Sequence, residues 1–156
     1  MREKRLIAEH RGGPLSATEH RKLMKWACDC AERVLPLLRD GVDERLRVAI
    51  AASREWQNGH LKPGKAMRAS VGAHAAARGY ADPLSIAVAR SVGQAAGTAH
   101  FAEHAIGAAL YALKAVKLAG GSVDDERRWQ DNQLPKELLH MVREVRAFKE
   151  KAFKLC

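Results

Sequence analysis

The residues of this chain whose types and spacing look most like a reactive site are His100-Phe-Ala-Glu103-His104, which spell the H-x-x-E-H pattern of inverted zinc peptidases. A spacing of four sets two imidazoles on one helical face, one turn apart, as a divalent metal requires. Such a site also needs a third protein ligand and an open coordination position, and no Asp or Glu follows Glu103 before Asp124. The neighbours suit packing better. Gly93, Gly97, His100, His104, Gly107 and Tyr111 fall on one broad helical side, where glycines let another helix come close and buried imidazoles find hydrogen-bond partners. His74, on the adjacent alanine-rich helix, is a candidate partner. His74, His100 and His104 are therefore expected to form a structural histidine cluster, with no metal and no cofactor. If the rings are buried and neutral, acid should destabilise the fold.

No glycine-rich phosphate loop, G-x-S-x-G elbow or familiar Cys-His pair is present. Ser53, Ser70, Ser85 and Ser91 sit on predicted helices without a flanking signature and read as packing residues rather than nucleophiles. Trp26, at the border of an apolar face, and Trp56, within one, read as core or core-edge residues. Trp129 is different, because Asp124-Asp-Glu-Arg-Arg128 precedes it and Gln130-Asp-Asn follows. It either docks a short helix onto the bundle or offers a partner an aromatic anchor beside arginines, which makes Arg127, Arg128 and Trp129 the candidate partner contacts.

The elements that position these residues are helices. Gly12-Gly-Pro14 ends an N-terminal arm, and Ser16 with Glu19 forms a capping box that starts helix one near Ala17. Leu23, Ala27, Cys30, Ala31, Val34 and Leu38 line one side of it, and Pro36 predicts a kink or an early end. Asp43 caps a second helix with the stripe Leu46, Ala49, Ile50, Ser53 and Trp56, which ends at Asn58-Gly59 and pairs antiparallel with the first. Pro63-Gly64 opens a third helix over 65–78, carrying Met67, Val71, His74 and Ala75. Asp82-Pro83 starts a helical pattern that the glycines divide into about 84–96 and 98–118. Ser122 or Asp124 caps a short helix through Gln133. Pro135 begins the last, whose stripe is Leu138, Met141, Val142, Val145, Phe148 and Ala152. No segment alternates with period two, so no sheet is expected.

Composition fits that pattern. Residues 66–119 are rich in alanine and glycine and hold only seven charged side chains, which marks them as the core. At 156 residues the chain suits one domain, read as an arm over 1–15 and a single all-helical domain over 16–156. The expected fold is an all-α, single-domain orthogonal or antiparallel bundle of about six to seven helices. No clean run of about 20 apolar residues exists, which argues against a membrane span. Leu6-Ile-Ala is too short an apolar stretch for a secretory signal, so a cytoplasmic location is expected. Three cysteines, Cys28, Cys30 and Cys156, are an odd number, and the first pair points to opposite sides of its helix, so reduced thiols are expected. Cys30 lies mid-face and Cys28 at the margin. A net charge of +9 favours acidic partners, but the cations are spread over helix faces with acids among them.

Read in order, several strings resemble one family. They are residues 26–38 from Trp26-Ala-Cys-Asp-Cys to Leu38, Asp43-Glu-Arg-Leu-Arg with Ala49-Ile-Ala and Trp56, Ala73-His-Ala-Ala-Ala-Arg78, Gly97-Thr-Ala-His100, the run 104–112 from His104 to Ala112, and Arg128-Trp-Gln130 with Leu134-Pro135. Together, over about 16–145, they resemble the immunity-protein family that carries the immunity-five-like domain. The resemblance implies an all-helical cytoplasmic protein that protects a bacterium by binding a cognate polymorphic toxin, without catalysis. Its pattern does not require an acid between the two histidines, which makes the peptidase spelling around Glu103 accidental. At +9 the chain would be repelled by the basic cleft of a nuclease, so the expected partner is a toxin with an acidic surface. The rival readings are a metal-dependent hydrolase built on His100 and His104 and a basic nucleic-acid-binding helical module.

Overall fold

The caps written in the sequence set the helix starts. In the computed structural model, which describes residues 2–155, α1 spans Ala17–Val34, and its capping box is closed by Glu19 N–H to Ser16 Oγ at 3.1 Å and Ser16 N–H to Glu19 Oε1 at 3.0 Å. It gives way to a 3₁₀ turn over Leu35–Leu37, where Pro36 supplies no amide to continue the ladder. Asp43 caps α2 (Glu44–Gln57), accepting from Arg45 N–H at 2.9 Å. Helix α3 spans Pro63–Gly79 and α4 spans Pro83–Gly97, with Asp82 accepting from Ser85 N–H at 2.8 Å. Helices α5 (His104–Leu118), α6 (Val123–Asn132, capped by Ser122) and α7 (Lys136–Glu150) complete seven helices among the described residues. There is no sheet among them, only one bridge between Ala8 and Leu15. No helix is long and apolar enough to cross a membrane.

Helices α4 and α5 occupy the middle of the bundle. The former packs against α1, α2, α3 and α5, and the latter also meets α6 and α7. Alanines fill most of this interior, from Ala73, Ala76 and Ala77 on α3 to Ala105, Ala108, Ala109 and Ala112 on α5, with Trp26, Leu23, Leu46, Ile106, Leu110 and Leu113 as the bulk. All six residues read as the apolar side of helix one are buried.

Three expectations need correction, and α3 turns inward a face that its sequence does not single out. The helix expected from Thr98 begins six residues later, at His104, because the Thr98 carbonyl is taken by the His20 ring at 2.5 Å and residues 98–103 turn with short-range bonds instead. On α3 the buried residues are Ala66, Ser70, Ala73, Ala76 and Ala77, and Val71 is 59% exposed. Small side chains let α3 approach α4 closely, so its bulkier residues turn outward. On α7, Phe148 is 81% exposed, and Ala152, in the 3₁₀ turn over Lys151–Phe153 that follows the helix, is also exposed, whereas Arg146 and Glu150 are buried. Cys28 is not marginal but fully buried, in a small cluster with Met24, Ala66 and Ala99. Cys156 lies outside the described residues.

The N-terminal segment is tied down. Leu6, Ala8 and Leu15 are buried, Glu3 N–H donates to Glu103 Oε1 at 2.7 Å, and Arg5 pairs with Glu144 of α7 at 2.6 Å.

Candidate functional site

Two of the three candidate histidines share a seat on α4. The His74 ring lies over Gly93, where an added Cβ would stand 2.7 Å from its far edge, and the His104 ring lies over Gly97 at 3.2 Å. The glycines make room for side chains rather than for a neighbouring backbone. Arg90 Nη1 donates to His74 Nδ1 at 2.8 Å, and because a guanidinium can only donate, that ring is neutral with its proton on Nε2. Burial and the nearby Arg90 hold its pKa down at about 4. His104 opens α5 and its Nδ1 meets Gln94 Oε1 at 2.7 Å, so Nδ1 carries the proton; burial again disfavours the charged ring.

His100 stands apart. It lies in the turn before α5, its ring at 4.2 Å from that of Phe101 and its Nδ1 at 3.5 Å from Arg11 Nη2. The two histidines of the H-x-x-E-H spelling therefore do not share a helical face. Its acid is engaged as well, with Glu103 accepting from Glu3 N–H and lying 3.5 Å from Lys149 Nζ. Among the described residues no three His, Cys, Asp or Glu side chains converge as metal ligands. Both buried thiols are pushed up by burial, Cys28 to about 12 and Cys30 well above the usual range, which leaves no thiolate at neutral pH.

Helix α6 carries the other candidate residues. Acids in its first turn, Asp124, Asp125 and Glu126, suit the helix dipole. Arg127 reaches Glu150 of α7 through Nε and Nη2, at 2.8 and 3.0 Å, and Asp124 through Nη1. Arg128 is exposed and paired with Asp125. Trp129 is half-buried, with the Arg33 guanidinium of α1 at 4.2 Å over its ring and Arg33 itself held by Glu126 at 2.9 Å.

The helical order just described, with its runs around Trp26, Ala73, His104 and Trp129, is matched over residues 13–137 by the family model described as Imm-5 like putative immunity protein. The chain belongs to this family. No curated protein and no solved structure matches it. The immunity-family match takes in α1 to α6 and stops two residues into α7. The segments outside it meet in space, for Arg5 of the N-terminal segment pairs with Glu144 of α7.

Within the family region, Gln130, the last residue of the Arg128-Trp-Gln130 string, links several helices at this end of the molecule. It is fully buried, donates from Nε2 to the Ala109 carbonyl at 3.0 Å and accepts from Arg146 Nη1 at 3.0 Å, while its own carbonyl accepts the Trp26 indole N–H at 2.9 Å. Its signal in the sequence is its place in the family-like string Arg128-Trp-Gln130, which does not show that the side chain is buried.

Proposed function

We propose that this chain neutralises a cognate polymorphic toxin by binding it in the bacterial cytoplasm, with no chemistry of its own. The observation that carries this reading is the family match over most of the chain. The state of the polar residues supports it. His74, His104 and Glu103 are each committed to contacts inside the fold, and Cys28 and Cys30 are held as thiols, so the exterior is left to act. The net charge of +9 favours a toxin with an acidic surface.

The test is co-expression with the toxin encoded beside its gene. Restored growth together with a complex that survives gel filtration is the expected result. A toxin that stays lethal and forms no complex overturns the proposal.

A further inference from the structure

A groove of about 610 Å³ runs along the outside of α2 and α3. Its floor is made of Ala51, Ala52, Ala69 and Gly72, and a Cβ added at Gly72 would meet nothing nearer than Arg45 Cβ at 4.0 Å. Val48, on the α2 lip, is 51% exposed. A small, apolar floor lets another helix lie close against it.

The two edges of the groove differ in charge. Lys65 and Arg68 on the α3 edge are exposed and enter none of the ion pairs among the described residues, and no Asp or Glu occurs anywhere in residues 57–81. The α2 edge carries Glu44 and Glu55 beside Arg45, whose guanidinium is already held by Asp43 at 2.9 Å. A helix lying in the groove is thus offered uncompensated positive charge along one side and acids along the other. A second copy of this chain is a poor occupant, because each copy brings a charge of +9.

We propose that this groove is the toxin-docking surface, and that its occupant is an amphipathic helix with small or apolar residues on its inner stripe and acids along the edge facing Lys65 and Arg68. The inference rests on the toxin-binding reading above. Apolar contact over the alanines supplies affinity, and the charge pattern sets which way the helix runs.

Two probes test it separately. The first is a synthetic helical peptide with an Ala/Leu stripe and Glu along one edge, compared by fluorescence anisotropy with its Glu-to-Lys counterpart. The Glu peptide should bind the full chain, the Lys peptide should bind at least about tenfold more weakly, and both Arg68→Glu and Gly72→Leu should abolish the difference. Gly72→Leu fills the groove at a helical position with open space, and its melting curve should show an intact fold. Equal binding of the two peptides, or binding indifferent to both substitutions, overturns the proposal. The second probe is growth rescue against the toxin encoded beside the gene. Rescue by the wild type that is lost with Gly72→Leu supports the groove. Rescue that survives both groove substitutions but fails with Arg128→Glu places docking on α6 and overturns the groove while the neutralisation reading stands. Failure of the wild type to rescue, with the peptide preference intact, leaves the groove standing and removes the toxin. A wild-type dimer in sedimentation equilibrium that Gly72→Leu dissolves would assign the groove to a second copy and overturn the proposal.

Discussion

Gln130 joins four helices through one residue, taking bonds from Trp26 of α1 and Arg146 of α7 and giving one to Ala109 of α5. Arg146 depends on it. Its remaining partners are Asp131 at 2.7 Å and, for an Nε that makes no hydrogen bond, Glu150 at 3.7 Å. Replacing Gln130 by Leu keeps the volume but removes the second bond to the Ala109 carbonyl and leaves Nη1 of buried Arg146 without its partner, so it should cost about 2–4 kcal/mol in urea denaturation. A Leu variant as stable as the wild type would refute a polar role. The histidines add a pH dependence. An unfolded histidine takes its proton near pH 6.5, whereas folded His74 does so at about 4. The unfolded chain therefore binds protons first as pH falls. Stability held by the neutral ring is complete above about 6.5 and is lost progressively towards 4. His20 and His104, lowered by burial, act in the same direction. Urea midpoints at pH 7 and pH 5 should differ, and His74→Gln should narrow the difference. The burial of Gln130 and Arg146 was not legible beforehand, since a polar residue on an amphipathic helix normally faces water and only the packing of α6 and α7 on α5 turns these two inward.

Between α3 and α4, the Gly93 seat makes a separable prediction. Gly93→Ala would drive a methyl against the His74 ring, push it off Arg90 towards solvent, and move its NMR-detected titration from about 4 up towards the ordinary value. The helix-propensity gain of about 0.5–1 kcal/mol for alanine offsets part of the lost contact, so titration rather than melting temperature is the decisive measurement. An unmoved titration would mean the ring stays seated. The starts of α1, α2, α4 and α6 were legible because Ser16, Asp43, Asp82 and Ser122 act within one turn of themselves. Faces were less so. The stripes of α1 and α2 are bulky and turned inward as expected, but α3 buries its alanines, because the distance to α4 and not hydropathy chooses its face. The start of α5 depended on His20, 78 residues away from the carbonyl it takes, and nothing local could reveal that.

At the scale of the whole molecule, the two chain ends fasten the bundle from outside the family region. Deleting residues 1–12 removes buried Leu6 and Ala8 and the contacts of Glu3 and Arg5, and should lower stability by about 2–4 kcal/mol, read from the urea midpoint. An unchanged midpoint would show the segment to be dispensable. The same tight assembly should shield Cys28 and Cys30, so iodoacetamide mapped by mass spectrometry should label neither in the native state and both in urea. The alanine interior has one more consequence. Alanine has no rotamers to freeze, so ordering it costs almost no side-chain entropy, and a core of methyl groups has no alternative arrangement into which it could relax. On the toxin-binding function proposed above, a new target is then met by exchanging exterior residues on an unchanged frame, and any enlargement inside should damage folding before it alters recognition.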